Sequence, residues 1–205
     1  DHIADFYDLR AEGSARVAGH DANVLVVLPK DGLRYGYRLW SERTTGLLLR
    51  AEVLGEHSEV LETSAFSEVS IGVRPQPDLV LQAMKKLDGL RVLRPVLAPT
   101  SLEAEGWNLR QAVPGFRQAS CVRRSMSAGG EGEAGADASQ ALQAIFSDGL
   151  THVSVFLEPC DVRRHTRPML AAVGATQTLM KRQGEWWITV VGDVPAATLR
   201  QFAGA

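Results

Sequence analysis

The feature of this chain that most restricts its fold is a period-two alternation of apolar and polar residues through residues 14–71. This period belongs to β-strands, in which successive side chains point to opposite faces. Turn residues interrupt the alternation, as in Lys30-Asp31-Gly32, where glycine accepts the positive φ of a tight turn. The pattern predicts an antiparallel meander with strands over 24–28, 34–40, 47–54 and 60–71.

The opening residues carry few apolar side chains for a sheet of this size. Ile3, Phe6, Tyr7 and Leu9 are too few to cover its apolar face. We therefore expect residues 1–89 to be the C-terminal portion of a larger domain, with the N-terminal half of that domain absent.

Proline-rich stretches indicate where the chain divides. Two prolines within 74–77 end the last strand, and Asp78 is expected to cap a short helix that ends at Asp88-Gly89. Residues 90–105 contain two further prolines, which is typical of an extended linker. We predict a first domain over 1–89, a linker over 90–105 and a second domain over 106–205.

The second domain is predicted to be a small antiparallel α+β unit. Ser147-Asp148-Gly149 supplies a tight turn. A terminal helix is expected to end near 202, with Pro195 in its first turn and Asp193 or a neighbour as its cap. Residues 127–139, rich in Gly, Ala and Glu, form a low-complexity loop. The predicted strands are 117–126, 140–146, 150–157, 176–182 and 186–191.

Charge and hydropathy exclude some classes of function. The formal net charge is −2, whereas nucleic-acid binding needs a concentrated basic excess. Residues 1–105 hold 12 Lys and Arg against 16 Asp and Glu, and residues 106–205 hold 10 against 8. No stretch has the roughly 18 apolar residues of a membrane helix. The second half is thus mildly more basic, enough to help orient an acidic peptide partner but too little to identify one.

No motif supports an enzyme, a cofactor or a metal site. Residues 130–135 match the dinucleotide-binding glycine pattern by letter, but no strand precedes them and no helix follows. His165 lies near Cys160 and Asp161 in a basic loop that offers no fourth zinc ligand. A couple of His152 with a cysteine is left open, although neither cysteine follows a turn typical of a nucleophile.

The two cysteines are expected to remain unpaired within one molecule. In a simple meander, Cys121 lies beside about Ala144, and Cys160 lies opposite about Asp137. Those two levels are about 24 Å apart at about 3.4 Å per residue. A disulfide needs Cα atoms within about 7 Å of each other.

Two sets of side chains are candidate binding surfaces. One set would share a face of the first sheet, and its members are Tyr35, Tyr37, Leu39, Leu47, Leu49, Ala51 and Val53. Such a set is either a core or the wall of a lipid-sized cavity, and both readings stay open. Trp186 and Trp187 point to opposite faces of one strand, so we expect one in the core and the other partly exposed. The exposed tryptophan either packs at the edge of the sheet or contacts a peptide. The candidate peptide-contact face consists of Trp186, Trp187 and Phe156.

Landmarks in both halves of the chain resemble the RseB/MucB family. In the first half they are Arg16-Val17-Ala18-Gly19, Lys30-Asp31-Gly32 with Arg34-Tyr35, and Thr45-Gly46-Leu47 with Leu49-Arg50. In the second half they are Gly106-Trp107, Pro114-Gly115-Phe116, Ser147-Asp148-Gly149-Leu150 and Val190-Val191-Gly192-Asp193-Val194-Pro195. They occur in the family's order, although Leu48 stands where relatives tend to have Pro.

The resemblance implies an α+β fold. The family has a large domain with a LolA/LolB-like unclosed antiparallel β-barrel, and a small antiparallel α+β domain follows it. The resemblance also implies a periplasmic protein that acts as a negative regulator of the sigma-E-type factor of the envelope stress response. Such a regulator binds the periplasmic segment of an RseA/MucA-type anti-sigma factor, protects it from proteolysis and is released by lipid or lipopolysaccharide. A periplasmic lipid or lipoprotein carrier of the LolA/LolB type is the alternative, and a homo-oligomer is left open.

Overall fold

The structure, a computed structural model, describes residues 3–86, 89, 97–125 and 140–204. These residues form two antiparallel sheets and three short helices. The predicted residues of the linker before 97 and the predicted loop over 127–139 lie outside the described residues.

The first sheet consists of β1 to β5 in sequential order, so that each strand pairs with the next along the chain. The strands are Tyr7–Val17, His20–Pro29, Gly36–Glu42, Leu48–Leu54 and Val60–Ala65. The meander begins earlier than predicted, because Tyr7 already pairs with Pro29. The last strand ends earlier than predicted, at Ala65, and Tyr35 precedes β3.

The second sheet has seven strands in the order β10-β11-β12-β9-β8-β7-β6. The strands β6 to β12 are Leu97–Pro99, Arg117–Ser125, Gln140–Ser147, His152–Pro159, Met169–Val173, Thr176–Gln183 and Trp186–Gly192. Neither β6 nor β10 was predicted. Both are edge strands whose sequences lack the polar alternation that signals a half-buried strand.

The helices are α1 (Ile3–Phe6), α2 (Pro77–Lys85) and α3 (Ala196–Phe202). Both predicted caps are wrong, because Gln76 precedes α2 and Pro195 precedes α3, and neither makes a side-chain capping hydrogen bond. Asp78 lies inside the first turn of α2. Asp193 instead accepts a hydrogen bond from Thr176 Oγ1 at 2.6 Å.

The larger core lies between one face of the second sheet and α3. Leu199 and Phe202 of the helix pack with Leu157, Ile188 and Val190 of the sheet. We call this face of the second sheet the helix side and the opposite face the outer face. Residues 102–116 also contribute to this core, so the helix side is well covered.

The cysteines support the predicted register of one strand. Cys121 pairs with Ala144, as expected from the meander. Cys160 follows β9 and donates its N–H to the Glu185 carbonyl oxygen at 2.8 Å. Both thiols are free in the structure.

Candidate functional site

A buried arginine connects the two sheets. Arg34, in the loop between β2 and β3, has no exposed side-chain surface. Its guanidinium contacts Asp31 in its own loop, the carbonyl oxygen of Pro114 and the carboxylate of Asp148. The Phe6 ring lies 4.4 Å from the guanidinium carbon. We call this region, where the loop 30–35 meets the second sheet, the junction.

Asp148 is the carboxylate on the other side of the junction, in the turn between β8 and β9. Its Oδ2 accepts hydrogen bonds from the Tyr7 hydroxyl at 2.7 Å and from Arg34 Nε at 3.0 Å. Its Oδ1 accepts from the backbone N–H groups of Leu150 and Thr151. A buried carboxylate with four donors is satisfied, so this ion pair avoids the penalty of an unpaired buried charge.

Gly115 allows the backbone of residues 114–116 to approach the arginine closely. Its φ is +81°, in the left-handed region, and a Cβ here would lie 2.8 Å from the Phe6 ring. Residues with a side chain rarely adopt this conformation, and the space is occupied. The Pro-Gly-Phe landmark therefore has a packing role at the junction.

The three tyrosines of the chain all lie at the junction. Burial raises the pKa of Tyr7, and the hydrogen bond to Asp148 raises it further. Burial also raises the pKa of Tyr37 to about 12 and raises that of Tyr35. These hydroxyls are held in the neutral, hydrogen-bonded form, as expected of structural tyrosines.

The outer face of the second sheet carries a row of side chains in cross-strand register. The row consists of Pro99, Val122, Gln143, Phe156, Thr189, Met180 and Met169. Ile145 and Val191 lie in the next row toward the junction. Phe156, Ile145, Met180 and Val191 are half-buried, and no described helix packs on this face. The surface mixes apolar and polar side chains, and its apolar residues lie outside the larger core.

A short loop after β9 covers one end of the outer face. The His165 ring stacks on Trp187 at 4.8 Å, with an angle of 8° between the rings. His165 Nδ1 accepts the N–H of Asp161 at 2.9 Å, and Nε2 lies 3.2 Å from a carboxylate oxygen of Glu158. The Nδ1 bond leaves the proton on Nε2, which can donate to Glu158. Arg164 binds the other oxygen of Glu158 at 3.0 Å.

The three predicted peptide-contact residues do not share one face. Phe156 and Trp187 lie on the outer face, and Trp187 is buried beneath the loop. Trp186 lies on the helix side and is 38% exposed, with its ring edge-on to Trp107 at 5.2 Å. Phe156 is thus the most accessible of the predicted residues on the outer face, and its contact with a peptide stays a prediction.

The predicted apolar face of the first sheet is only partly assembled. The register places Tyr37, Leu39, Ala51 and Val53 on one face. Leu49 lies at a bulge and packs instead with Ala22, Val24 and Trp40. Tyr35 and Leu47 lie outside the strands, Tyr35 buried and Leu47 exposed.

The junction occupies part of that same face. The Tyr35 hydroxyl accepts a hydrogen bond from Gln177 at 3.4 Å, and Tyr37 is hydrogen-bonded to Thr151. A pocket of about 260 Å³ does contain Leu49 and Ala51 in its lining. This volume lies below the range of about 300–1,000 Å³ that is usual for small-molecule sites. The cavity role of these residues stays a prediction.

Among the described residues no cluster of His, Cys, Asp and Glu could hold a metal ion. Within the same residues no helix is long and apolar enough to cross a membrane. The described site is therefore composed of apolar side chains, buried ion pairs and hydrogen bonds.

Sequence reasoning missed the two residues that organise the junction. Arg34 and Asp148 occur in landmark motifs, but each motif is a surface-type turn by composition. Nothing in the local sequence indicates that the two turns meet. The available signal is that both motifs pair an aspartate with Gly, as in Asp31-Gly32 and Asp148-Gly149, but turn geometry alone also explains this pattern.

Two family models match the chain. The model of the MucB/RseB N-terminal domain matches residues 1–85, and the model of the MucB/RseB C-terminal domain matches residues 101–205.

Curated relatives match along almost the whole chain. The sigma factor AlgU regulatory protein MucB of Pseudomonas aeruginosa is 34% identical, over 98% of this chain and 60% of the relative. The sigma-E factor regulatory protein RseB of Escherichia coli K12 is 25% identical, over 98% of this chain and 59% of the relative. The chain thus spans about three fifths of the length of these relatives.

Solved structures are similar over nearly all of the chain. MucB in complex with MucA(peri) aligns with a TM-score of 0.74 and 28% identity, covering 99% of this chain and 68% of that one. A structure of MucB by itself aligns with a TM-score of 0.67 and 26% identity, covering 98% and 63%. This likeness confirms the predicted α+β class, with antiparallel sheets that do not close into a barrel and a LolA-like first part.

Proposed function

Because the chain belongs to the MucB/RseB family, we propose that it is a periplasmic regulatory binding protein and not an enzyme. Its partner is the periplasmic segment of a membrane-anchored anti-sigma factor of the MucA/RseA type. Two relatives are named as sigma factor regulatory proteins, and MucB has been crystallised with the periplasmic part of MucA. Binding shields the segment from proteolysis, and lipid or lipopolysaccharide signals release it.

The observation that carries the proposal is the open outer face of the second sheet. A sheet face with half-buried Phe156, Ile145 and Met180 leaves apolar surface in contact with water, at a cost of about 25 cal/mol per Å². Exposed apolar surface of this kind marks interaction sites. An apolar peptide segment placed there removes that surface from solvent.

The far end of the outer face is basic. Arg124 and Arg182 lie in the row that also contains Trp187 and Glu158, and Arg164 reaches Glu158 from the loop. Arg164 pairs with Glu158 and Arg182 with Glu185, so three arginines there face two carboxylates. A peptide with acidic residues at this end and apolar residues along the centre matches the surface, since complementary charge fixes orientation and raises the association rate.

The first sheet contacts the second one beside this surface. Tyr35, which precedes β3, is hydrogen-bonded to Gln177 on the helix side, and Tyr37 of β3 is hydrogen-bonded to Thr151 in the turn between β8 and β9.

Calorimetric titration with the periplasmic segment of Pseudomonas aeruginosa MucA tests this proposal. Phe156→Glu should weaken binding by about ten- to a hundred-fold, because it buries a charge at the centre of the contact. Val73→Glu is the control: Val73 is an exposed apolar residue beyond β5, and this variant should bind like the wild type.

A fragment of residues 106–205 should keep measurable affinity for the same segment. Affinity that resides wholly in residues 1–89, or equal losses from the Phe156→Glu and Val73→Glu variants, would rule out the outer face. In a cleavage assay, the intact chain should slow proteolysis of the segment, and added lipopolysaccharide should restore it. Lipid transfer without segment binding would instead support the carrier alternative.

A further inference from the structure

The two sheets have four edge strands, and three of them carry features that discourage pairing with another chain. Strand β1 has a bulge between Ala11 and Ser14 and several charged residues. Strand β5 has Glu62 in its middle, and β6 has only three residues and ends in Pro99. Charges, bulges, prolines and short length are the usual protections of sheet edges.

The fourth edge, β10, has none of these protections. Its sequence is Met169-Leu170-Ala171-Ala172-Val173, without charge, proline or bulge. Its outer side pairs with no strand among the described residues. Met169, Leu170 and Val173 are 44%, 45% and 81% exposed. An apolar, regular and exposed edge of this type is a template for an added strand.

We propose that β10 binds an extended stretch of the anti-sigma periplasmic segment as an eighth strand of the second sheet. This inference rests on the proposed function and specifies how the partner is held. Backbone hydrogen bonds to β10 supply affinity, and alternate side chains of the added strand continue the outer face.

Continuity with the proposed site favours this occupant. The row through Phe156, Thr189 and Met180 ends at Met169, on the edge strand itself. A strand added beside β10 therefore presents its apolar side chains next to Met169, Ala171 and Val173. One extended segment of the partner can therefore contact both the outer face and the edge strand β10.

The charges at the two ends of β10 differ in sign. Arg167 lies exposed just before the strand. Beyond the strand, Glu62 of β5 lies at the turn and accepts the N–H of Ala175 at 3.2 Å. An acidic residue of the partner is expected beside Arg167, which gives the added strand a preferred direction.

Hydrogen exchange tests the proposal directly. In an antiparallel edge strand alternate amides point outward, where they exchange with water until another strand pairs with them. Adding the Pseudomonas aeruginosa MucA periplasmic segment should slow amide exchange within 169–173 by about ten-fold or more. Binding with unchanged exchange in 169–173 overturns the edge proposal and leaves the proposed function standing. Absence of any binding overturns both.

Proline substitution at adjacent positions provides a second test. One of Ala171→Pro and Ala172→Pro removes an outward N–H, while the other removes an N–H that pairs with β11. The variant that loses only the outward N–H keeps all bonds to β11 and should therefore keep the wild-type melting temperature. This variant should bind the MucA segment at least about ten-fold more weakly. The valine variant at the same position keeps its N–H and should bind normally. Normal binding by both proline variants overturns the proposal.

Discussion

At the level of single residues, Arg34 is a charged side chain without any exposed surface. Its guanidinium is fully buried, yet it donates to Asp148, Asp31 and a backbone carbonyl. A satisfied buried pair contributes little net stability relative to apolar residues, but removal of one partner leaves a buried charge. The pair therefore acts mainly to define how the two sheets meet.

Arg34→Ala and Asp148→Ala should each lower the free energy of unfolding by about 3–5 kcal/mol. The double variant should lose less than the sum, with a coupling energy of about 1–3 kcal/mol. Urea denaturation of all four proteins measures this. Arg16→Ala is the control, because both partners of the Arg16–Asp21 ion pair are exposed and its loss should cost about 1 kcal/mol or less. Strict additivity of the two junction variants would contradict the pairing.

The junction tyrosines predict a loss of stability in alkaline solution. The pKa of Tyr37 is raised to about 12, and those of Tyr7 and Tyr35 are raised too, each by burial first. A tyrosine whose pKa is raised in the folded state contributes its full stabilisation below about pH 10, the pKa of a tyrosine in the unfolded chain. This contribution is lost as the pH rises through the pKa of the folded state. Unfolding monitored from pH 9 to 12 should show stability falling above about pH 10. Tyr37→Phe should show a smaller fall. Half-maximal tyrosinate absorbance at pH 10 in the folded protein, the value of an ordinary tyrosine, would contradict the burial.

At the level of elements, the strand register separates the two cysteines. Cys121 is buried within β7, and burial raises the pKa of its thiol. Cys160 follows β9 and is half-buried near a loop. The two thiols therefore differ in access and in reactivity.

Thiol titration should distinguish these sites. The native protein should show one thiol that reacts rapidly, and the unfolded, unreduced protein should show two. Cys160→Ser should remove the rapid reaction, whereas Cys121→Ser should preserve it. The absence of free thiols after unfolding, with the monomer mass unchanged, would mean that a disulfide exists and that the register is wrong.

The edge strands show where periodicity loses its predictive value. The half-buried strands β2, β3, β8, β9 and β12 were predicted within a few residues. Strand β10 was missed because both its faces are exposed and all its residues are apolar, which leaves no alternation. Strand β6 was missed because its three residues, with Pro99, fit a linker equally well.

At the level of the whole molecule, the structure shortens the stretch in which a protease could separate the two proposed domains. The predicted linker over 90–105 is shortened by β6, since residues 97–99 pair with β7. The division into two domains, with the linker between them, remains a prediction.

Limited proteolysis tests that division with two enzymes. Trypsin should cut first at Arg91, since Pro95 follows Arg94 and blocks cleavage there, and a glutamate-specific protease should cut first at Glu131 or Glu133. Paired backbone resists cleavage because local unfolding must precede it, which protects the strands. Mass spectrometry of the first fragments identifies the sites. Early cuts within 24–69, with 90–96 intact, would contradict the division.

The sequence by itself determined the local structure of this protein and its family. Alternation with period two places strands, Gly-containing turns join them, and landmark motifs in a fixed order indicate the family, because all of these are properties of neighbouring residues. Only the tertiary structure decided which faces are covered and which turns meet. Arg34 and Asp148 are 114 positions apart, and their contact depends on how two finished sheets pack. For the same reason the burial of Trp187, the open outer face and the bare edge of β10 emerge only once the whole chain is assembled.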